Sequence, residues 1–538
     1  MNRRLLSPLA LIALVILASC IFVQHSLNES FSHGRLASQP NYDDVTYFLS
    51  GTQALQSFRS GHVIETLTGY MHSPYSVLLA AGSFAIWGAK DWAPYAGNAV
   101  VVASYLAALC YLLRHLPLGV RMGSLLVFLS LPFATMAVVE FRPDIMWAIL
   151  VGFTAIYLST ANRHFSSRIE AVGVGLLYGA ALMTKPSTFL MTTAVVGLAV
   201  LLRTLRGTFS GELTAFNYFS WLLLFVLSFL LLAGPYYLLH FDRVWSYFYE
   251  NSFGKHKDFW IPKQTLSEHL SYYVDSEHAS GSNLGRWRLP IFLFVGSSLL
   301  FCSLRGGQRG ERGILLSVTV TLGATLLASS LFGMKSAFLG GAFYGTLLFA
   351  FAYLLAEILR PFEMALSRPI TQLLAFAGLT AISLTMHTWP DYSKWDAARA
   401  NYYRKANDEV WDGIRRALRE YSPANGVVDV YYSNSSPIPQ ELVRLRAIQE
   451  RIPLRIFSGV LLDSMVNQRA SFERCGIIIV QDPGLPEVNQ GFPGEKLQTE
   501  ITQEVLSRPE FDLAREIPIN ERQRVYLLYN KKFLVRRQ

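Results

Sequence analysis

Apolar runs long enough to cross a bilayer alternate with short loops bearing arginine, and that alternation limits what this chain can fold into. A hydrocarbon core about 30 Å thick takes about 20 apolar residues as a helix. Such runs fall at about 6–24, 95–113, 122–140, 145–161, 169–183, 187–202, 218–239, 289–304, 313–333, 338–358 and 370–388. The chain is 51% hydrophobic and only 16% charged, with mean hydropathy +0.29. A soluble domain carries about a quarter charged residues. The expectation is a mainly α, polytopic membrane helix bundle of about eleven transmembrane helices.

The net charge of +9 needs no nucleic acid to explain it, because much of the excess lies in the loops. Arg3 and Arg4, Arg114 and Arg121, Arg163 and Arg168, Arg203 and Arg206, Arg305 to Arg312, and Arg360 with Arg368 sort to one side. Positive loops stay cytoplasmic. Eleven crossings then give a multi-pass plasma (inner) membrane protein with a cytoplasmic N-terminus and a periplasmic or extracellular C-terminus. Residues 169–202 bear most on this parity. Arginines at both ends argue for two helices turning at Thr184-Lys185-Pro186-Ser187; one long helix would put the tail in the cytoplasm. The start, "MNRRLLSPLALIALVILASC", resembles a lipoprotein cleavage box, yet the run continues through Ile21, Phe22 and Val23 as an uncleaved first transmembrane helix does. Cys20, Cys110, Cys302 and Cys475 have no disulfide or zinc spacing.

On this threading, residues 1–390 form the membrane domain, with exoplasmic loops at about 25–94 and 240–288. The first loop carries Asp43 and Asp44, and then "SPYSVLLAAGSFAIWG", about 16 residues and suited to the interface. "VVEFRPDIMW" sets Glu140, Arg142 and Asp144 between two helices. The segment 391–538 differs in kind. "WDGIRRALREYS" and "PQELVRLRAIQERI" have helical period, whereas "GVVDVYYS", "CGIIIVQD" and "RVYLLYN" read as strands. An exoplasmic α/β domain is expected there. No repeat, glycine-rich phosphate loop or HExxH-type motif is present.

Ionisable groups at a membrane are costly, so they are functional candidates by default. On the exoplasmic face these are the acids Asp43, Asp44, Glu140 and Asp144, with Arg142, Lys185, Lys255, Lys335, His72 and His256. Acids and cations at one face suit a substrate with a lipid tail and an anionic head, such as a polyprenyl-phosphate sugar. Transfer from it needs a carboxylate to take the acceptor's proton and cations to stabilise the departing phosphate. Each group also has a plainer role. Asp43 or Asp44 can cap the helix that follows. Arg142 and Asp144 can pair locally, and Lys185 and Lys335 can snorkel to headgroups.

The ordered set resembles the GT-C polyprenyl-phosphate-dependent glycosyltransferases, in particular bacterial protein-mannosyltransferase and aminoarabinose-transferase types. Its marks are "NYDDVTYFLSGTQAL", "YMHSPYSVLLAAGSFAIWGAKDWAPYAGN", "RPDIMWAILVGFTAIYL", "GLLYGAALMTKPSTFLM", "GPYYLLHFDRVWSYFYENSFGKH" and "GMKSAFLGGAFYGTLLFAFAYLL", over roughly residues 1–390. The resemblance implies that Asp43 is the base and that Asp44 supports it. Lys185 and Lys335 would then face the donor phosphate, and Arg142 and Asp144 would match a motif heading the fourth helix. It admits a divalent cation, magnesium or manganese, on Asp43 or Asp44. The chain departs from the pattern with Asp at 44 in place of Glu, "HSPY" around His72, and no Tyr-Leu-Leu-Pro after Lys335. The implied activity is transfer of a hexosyl or pentosyl group, with inversion, to a lipid, glycan or protein acceptor. The partners are then the donor, membrane lipid and the acceptor, with no nucleic acid. The alternative is a lipid-linked sugar flippase or transporter, which would spread its charges through the bundle's depth. A non-catalytic anchor for the tail is a third reading.

Overall fold

The computed structural model describes residues 8–37, 42–162, 164–254, 265–304, 309–331, 335–387, 397–423, 426–433, 440–482 and 493–536. The chain divides into two compact units. One comprises Met1–Ser26, Ser57–Leu79 and Tyr95–Asp391; the other comprises Leu27–Gln56, Ala80–Pro94 and Tyr392–Gln538.

The first unit is helical. Among the described residues, nine helices of the chain are long and apolar enough to cross a membrane, or ten if one bent pair counts as a span. The helix Arg168–Thr184, at 17 residues, occupies the remaining expected run, so the difference from about eleven is one of helix length. Leu223, Leu227, Leu231 and Leu238 are all exposed on the helix Ala215–Ser252. Large apolar side chains at that spacing face lipid rather than water. This 38-residue helix measures about 57 Å at 1.5 Å per residue, more than a bilayer core requires. Residues 240–252, expected in a loop, continue it because no breaker follows His240.

Prolines set the interruptions. The expected run 122–140 is two helices, Leu118–Leu129 and Pro132–Val139, bent by 64°. Leu131 before Pro132 is extended, as the clash with the proline ring requires. Arg142 before Pro143 is extended as well, and Lys185 before Pro186 has left the helical region. The helices on either side of Lys185, Arg168–Thr184 and Phe189–Phe209, form an antiparallel hairpin. The Tyr178 and Thr193 hydroxyls lie 2.7 Å apart, and further from the turn Glu170 pairs with Arg203. The chain leaves and returns, as arginine parity requires.

The helices Pro143–Thr160 and Gly341–Leu359 touch backbone to backbone. A Cβ on Gly345 would lie 2.1 Å from the Ala148 carbonyl oxygen, and one on Gly152 would lie 2.4 Å from the Gly345 carbonyl carbon. Gly341-x-x-x-Gly345 against Ala148-x-x-x-Gly152 is the small-residue seam that lets membrane helices approach closely.

The second unit is built on a five-stranded sheet. Its strands are β2 (Val428–Tyr432), β3 (Leu454–Ser458), β4 (Ile477–Gln481), β5 (Phe511–Pro518) and β6 (Arg524–Asn530), in the order β3-β2-β4-β6-β5. The first three in that order are parallel; β6 and β5 run antiparallel to their neighbours. A separate antiparallel pair joins β1 (Tyr421–Pro423) to β7 (Leu534–Arg536). Alternate residues feed opposite faces. Val428, Val430 and Ile479 pack under Val410, Trp411 and Ile414 of the helix Ala397–Glu420. Tyr431, Ile478 and Leu528 pack with Ile501 and Val505 of the helix Gln498–Ser507. Helices therefore cover both faces of the sheet. In the same unit Phe48, on the helix Tyr42–Arg59, lies edge-on to Phe84, on the helix Pro74–Trp87, at 6.0 Å. At 14 residues, Pro74–Trp87 is about 21 Å long and too short to cross a bilayer core.

Candidate active site

In the helical unit, Asp144 lies in the first turn of Pro143–Thr160, where a carboxylate also complements the helix dipole. It pairs with Lys185, whose side chain is 14% exposed against 10% for Asp144. The Lys185 ammonium also stands 5.4 Å above the Trp147 ring, whose indole N–H donates to Thr192 at 2.8 Å. The cation is thus fixed from two sides at the hairpin turn. The turn has a further anchor. The Ser73 hydroxyl donates to the Thr184 carbonyl at 2.8 Å, and Tyr236 donates to the Met71 carbonyl at 2.6 Å. Between them His72 is exposed and meets the Tyr247 ring edge-on at 4.5 Å.

Arg142 forms the second pair, 3.2 Å from Glu140. The Asn98 amide donates to the carbonyls of Val138 and Glu140 at 2.9 and 3.1 Å. That clamp supports the extended stretch from which both side chains project. Arg142 lies over the Phe338 ring at 4.4 Å, which ties the pair to the segment carrying Lys335. Lys335 donates to the Ser330 carbonyl, and to that of Ser329 at 3.3 Å, and sits 5.4 Å from the Tyr273 ring. Burial pushes its ammonium down to about 8, because leaving water penalises the charged form.

Asp144 with Lys185, and Glu140 with Arg142 and then Phe338 and Lys335, therefore occupy one end of the bundle. Lys255 and His256 lie outside the described residues.

The acidic pair belongs to the other unit. Asp43 and Asp44 both stand in the first turn of Tyr42–Arg59, but their surroundings differ. Asp44 is fully buried and accepts from Arg35 at 2.7 Å, with Arg35 itself 3% exposed. A buried carboxylate of this kind has its charge committed to its partner. Asp43 is only half-buried. Its charge acts on Glu441, a carboxyl of the tail that is 5% exposed and pushed up to about 7, chiefly by burial. One Glu441 oxygen accepts from Gln440 at 2.9 Å. Arg35, Asn98, Trp147, Phe338 and Glu441 were not singled out from sequence. Arg35 lies nine residues before Asp44, and Trp147 and Phe338 each lie three residues after a candidate, Asp144 and Lys335, whereas Asn98 and Glu441 are distant along the chain.

The described residues contain no group of three or more His, Cys, Asp or Glu that could hold a metal ion. Asp44, paired with Arg35, does not offer a divalent cation a free carboxylate.

No protein-family model matches the chain, and no curated protein matches it. Among solved structures it is similar to ArnT from Cupriavidus metallidurans bound to undecaprenyl phosphate. That match has TM-score 0.55 and 13% identity, over 97% of this chain and 98% of that one. The apo state of the same protein gives TM-score 0.58 at 12% identity, over 96% and 97%. The arabinofuranosyltransferase AftD from Mycobacteria gives 0.52 at 12%, over 98% of this chain and 40% of that one. At such identities the likeness is one of fold. The fold shared with them is a multi-pass membrane helix bundle with an appended α/β region.

Proposed function

We propose that the chain is an integral-membrane glycosyltransferase. It would move a sugar from a polyprenyl-phosphate-linked donor to a lipid, glycan or protein acceptor on the exoplasmic face. The observation that carries this reading is the gathering of Asp144–Lys185, Glu140–Arg142 and Lys335 at one end of a bundle. That bundle's fold follows, over nearly its whole length, a protein solved with undecaprenyl phosphate.

In this reading Asp43 takes the proton of the acceptor hydroxyl, and Asp44, held by Arg35, fixes the turn from which Asp43 projects. The acceptor oxygen forms its bond to the anomeric carbon as the bond from that carbon to the phosphate oxygen breaks. The phosphate departs with the electron pair, and a single displacement inverts the centre. Lys185, Lys335 and Arg142 are fixed cations for the departing phosphate, and preorganised charge is most effective where charge develops. Glu140 and Asp144 hold two of those cations in place. His72 would contact the substrate from the loop beside Tyr247. The C-terminal segment, residues 391–538, is the proposed acceptor selector.

The test uses the purified full chain in liposomes carrying a radiolabelled polyprenyl-phosphate sugar extract, with membrane acceptors added. Label should move to the acceptor fraction, and Asp43→Asn should lower the rate about 10²–10⁴-fold at unchanged circular dichroism. Full activity in Asp43→Asn removes it as the base. Movement of labelled lipid across the bilayer without transfer would replace this reading with a flippase.

A further inference from the structure

The helical unit has a second charged region, at the end opposite the Asp144–Lys185 pair. There a cavity of about 840 Å³ lies where the helices Ala99–Leu112, Pro143–Thr160 and Gly341–Leu359 finish and Arg309–Leu331 begins. Helix ends sit at the depth of lipid headgroups. Arg114, Arg312 and Arg360 line the cavity, and all three are exposed. Its walls also include Tyr111 and Tyr157, with the Arg114 guanidinium 4.1 Å from the Tyr111 ring.

Three carboxylates share the walls, and two of them are already matched. Glu170 pairs with the buried Arg203, and Glu357 pairs with Arg360 at 3.2 Å. Glu311 is left against Arg114 and Arg312. Behind the wall Arg206 adds a further cation, donating to the carbonyls of Leu158 and Ala161 at 3.2 and 3.3 Å. The lining itself carries three arginines and three glutamates, and with Arg203, which holds Glu170 from behind the wall, the cations exceed the anions by one before Arg206 is counted. His115 in the cavity wall is held below its ordinary value by burial and then by Arg114 and Arg360, with Glu357 and Glu363 acting the other way.

We infer that this cavity binds the phosphate-bearing headgroup of an anionic membrane lipid, with Arg114 and Arg312 as the phosphate contacts. Basic pockets between membrane helices recognise such headgroups. The cavity is large enough for a headgroup, and Tyr111 in its wall lies against Arg114. The site is separate from the proposed donor site, being at the other end of the same helices, and it stands whichever way the chain is oriented.

The experiment reconstitutes the full chain in nanodiscs of phosphatidylcholine with phosphatidylglycerol, and counts retained lipid by native mass spectrometry after detergent extraction. Wild type should retain phosphatidylglycerol over phosphatidylcholine. The double variant Arg114→Gln with Arg312→Gln should lower that retention about tenfold or more, two cations being removed. The variant Arg312→Lys, which keeps the charge, should retain most of it and serves if the double variant does not fold. Equal retention of the two lipids by wild type overturns the proposal, as does unchanged retention in the double variant. Displacement of the lipid by excess inorganic phosphate alone overturns the headgroup assignment in favour of a free phosphate.

Discussion

Both ends of the helical unit hold pairs of opposite charges, and they use them differently. At one end Arg203 is fully buried, pairs with Glu170, donates to the Asn162 carbonyl at 2.7 Å, and lies against the Phe165 ring at 4.2 Å and the Trp221 ring at 5.4 Å. Both partners sit on continuous helix, and aromatic faces close over the guanidinium. At the other end Lys185 and Arg142 stand on backbone that has left the helix before a proline, and both keep some exposure. A charge inside a membrane bundle is therefore not in itself the mark of a site. What sets Lys185 and Arg142 apart is interrupted backbone and remaining exposure, which the proposed function uses.

That contrast can be broken most severely at the closed end. Arg203→Ala leaves the Glu170 carboxylate without its buried partner, and removing one partner of a buried pair costs about 3–5 kcal/mol. Thermal unfolding in detergent should show a large fall in Tm, and an unchanged Tm would mean that the pair holds nothing together. Lys185→Ala tests the open end. Donor transfer should fall about 10²–10³-fold, the usual loss when a fixed transition-state donor is removed, with a much smaller change in Tm. If stability rather than transfer collapses, the two ends are alike.

Gly345→Val tests whether the small-residue seam holds Asp144 and the Lys335 segment in register. Overpacking of this kind costs about 1–3 kcal/mol or more, and a Cβ at 2.1 Å from a carbonyl oxygen has only backbone to displace. Tm and transfer should fall together. The smallest effect concerns pH. A lysine brought down to about 8 is a cation below that pH and loses its charge as pH rises through it. Donor KM should therefore increase several-fold from about pH 7 to 9, and Lys335→Arg should flatten the profile, since arginine stays charged. A wild-type profile that is already flat would remove Lys335 from the phosphate-binding set.

Much of this was legible in the chain because the information is local. "GVVDVYYS", "CGIIIVQD" and "RVYLLYN" are β2, β4 and β6, as their apolar runs require. "TKPS" is the hairpin turn, since proline cannot continue the preceding helix and presses its neighbour out of it. The same chemistry puts Arg142 on extended backbone, so two candidate cations could be placed from the dipeptides Arg-Pro and Lys-Pro. The bend at Leu131 follows the same rule but lay hidden within an unbroken apolar run.

Local pattern could not choose partners. Asp43 and Asp44 are neighbours of one residue type, and nothing in "NYDDVTYF" says that one is sealed against Arg35 while the other keeps access to solvent. Nor does it show that residues 27–56 and 80–94 belong to one compact unit with the tail. Apolar length, the prolines and the arginines determined by themselves the helices, their interruptions and their alternating directions, because hydrogen bonding within a helix and the cost of charge in lipid act on each segment alone. Tertiary structure decided which charge meets which. An ion pair depends on where two distant backbones come together, as when Gly345 lets one helix lie against Ala148, and no window of sequence contains both.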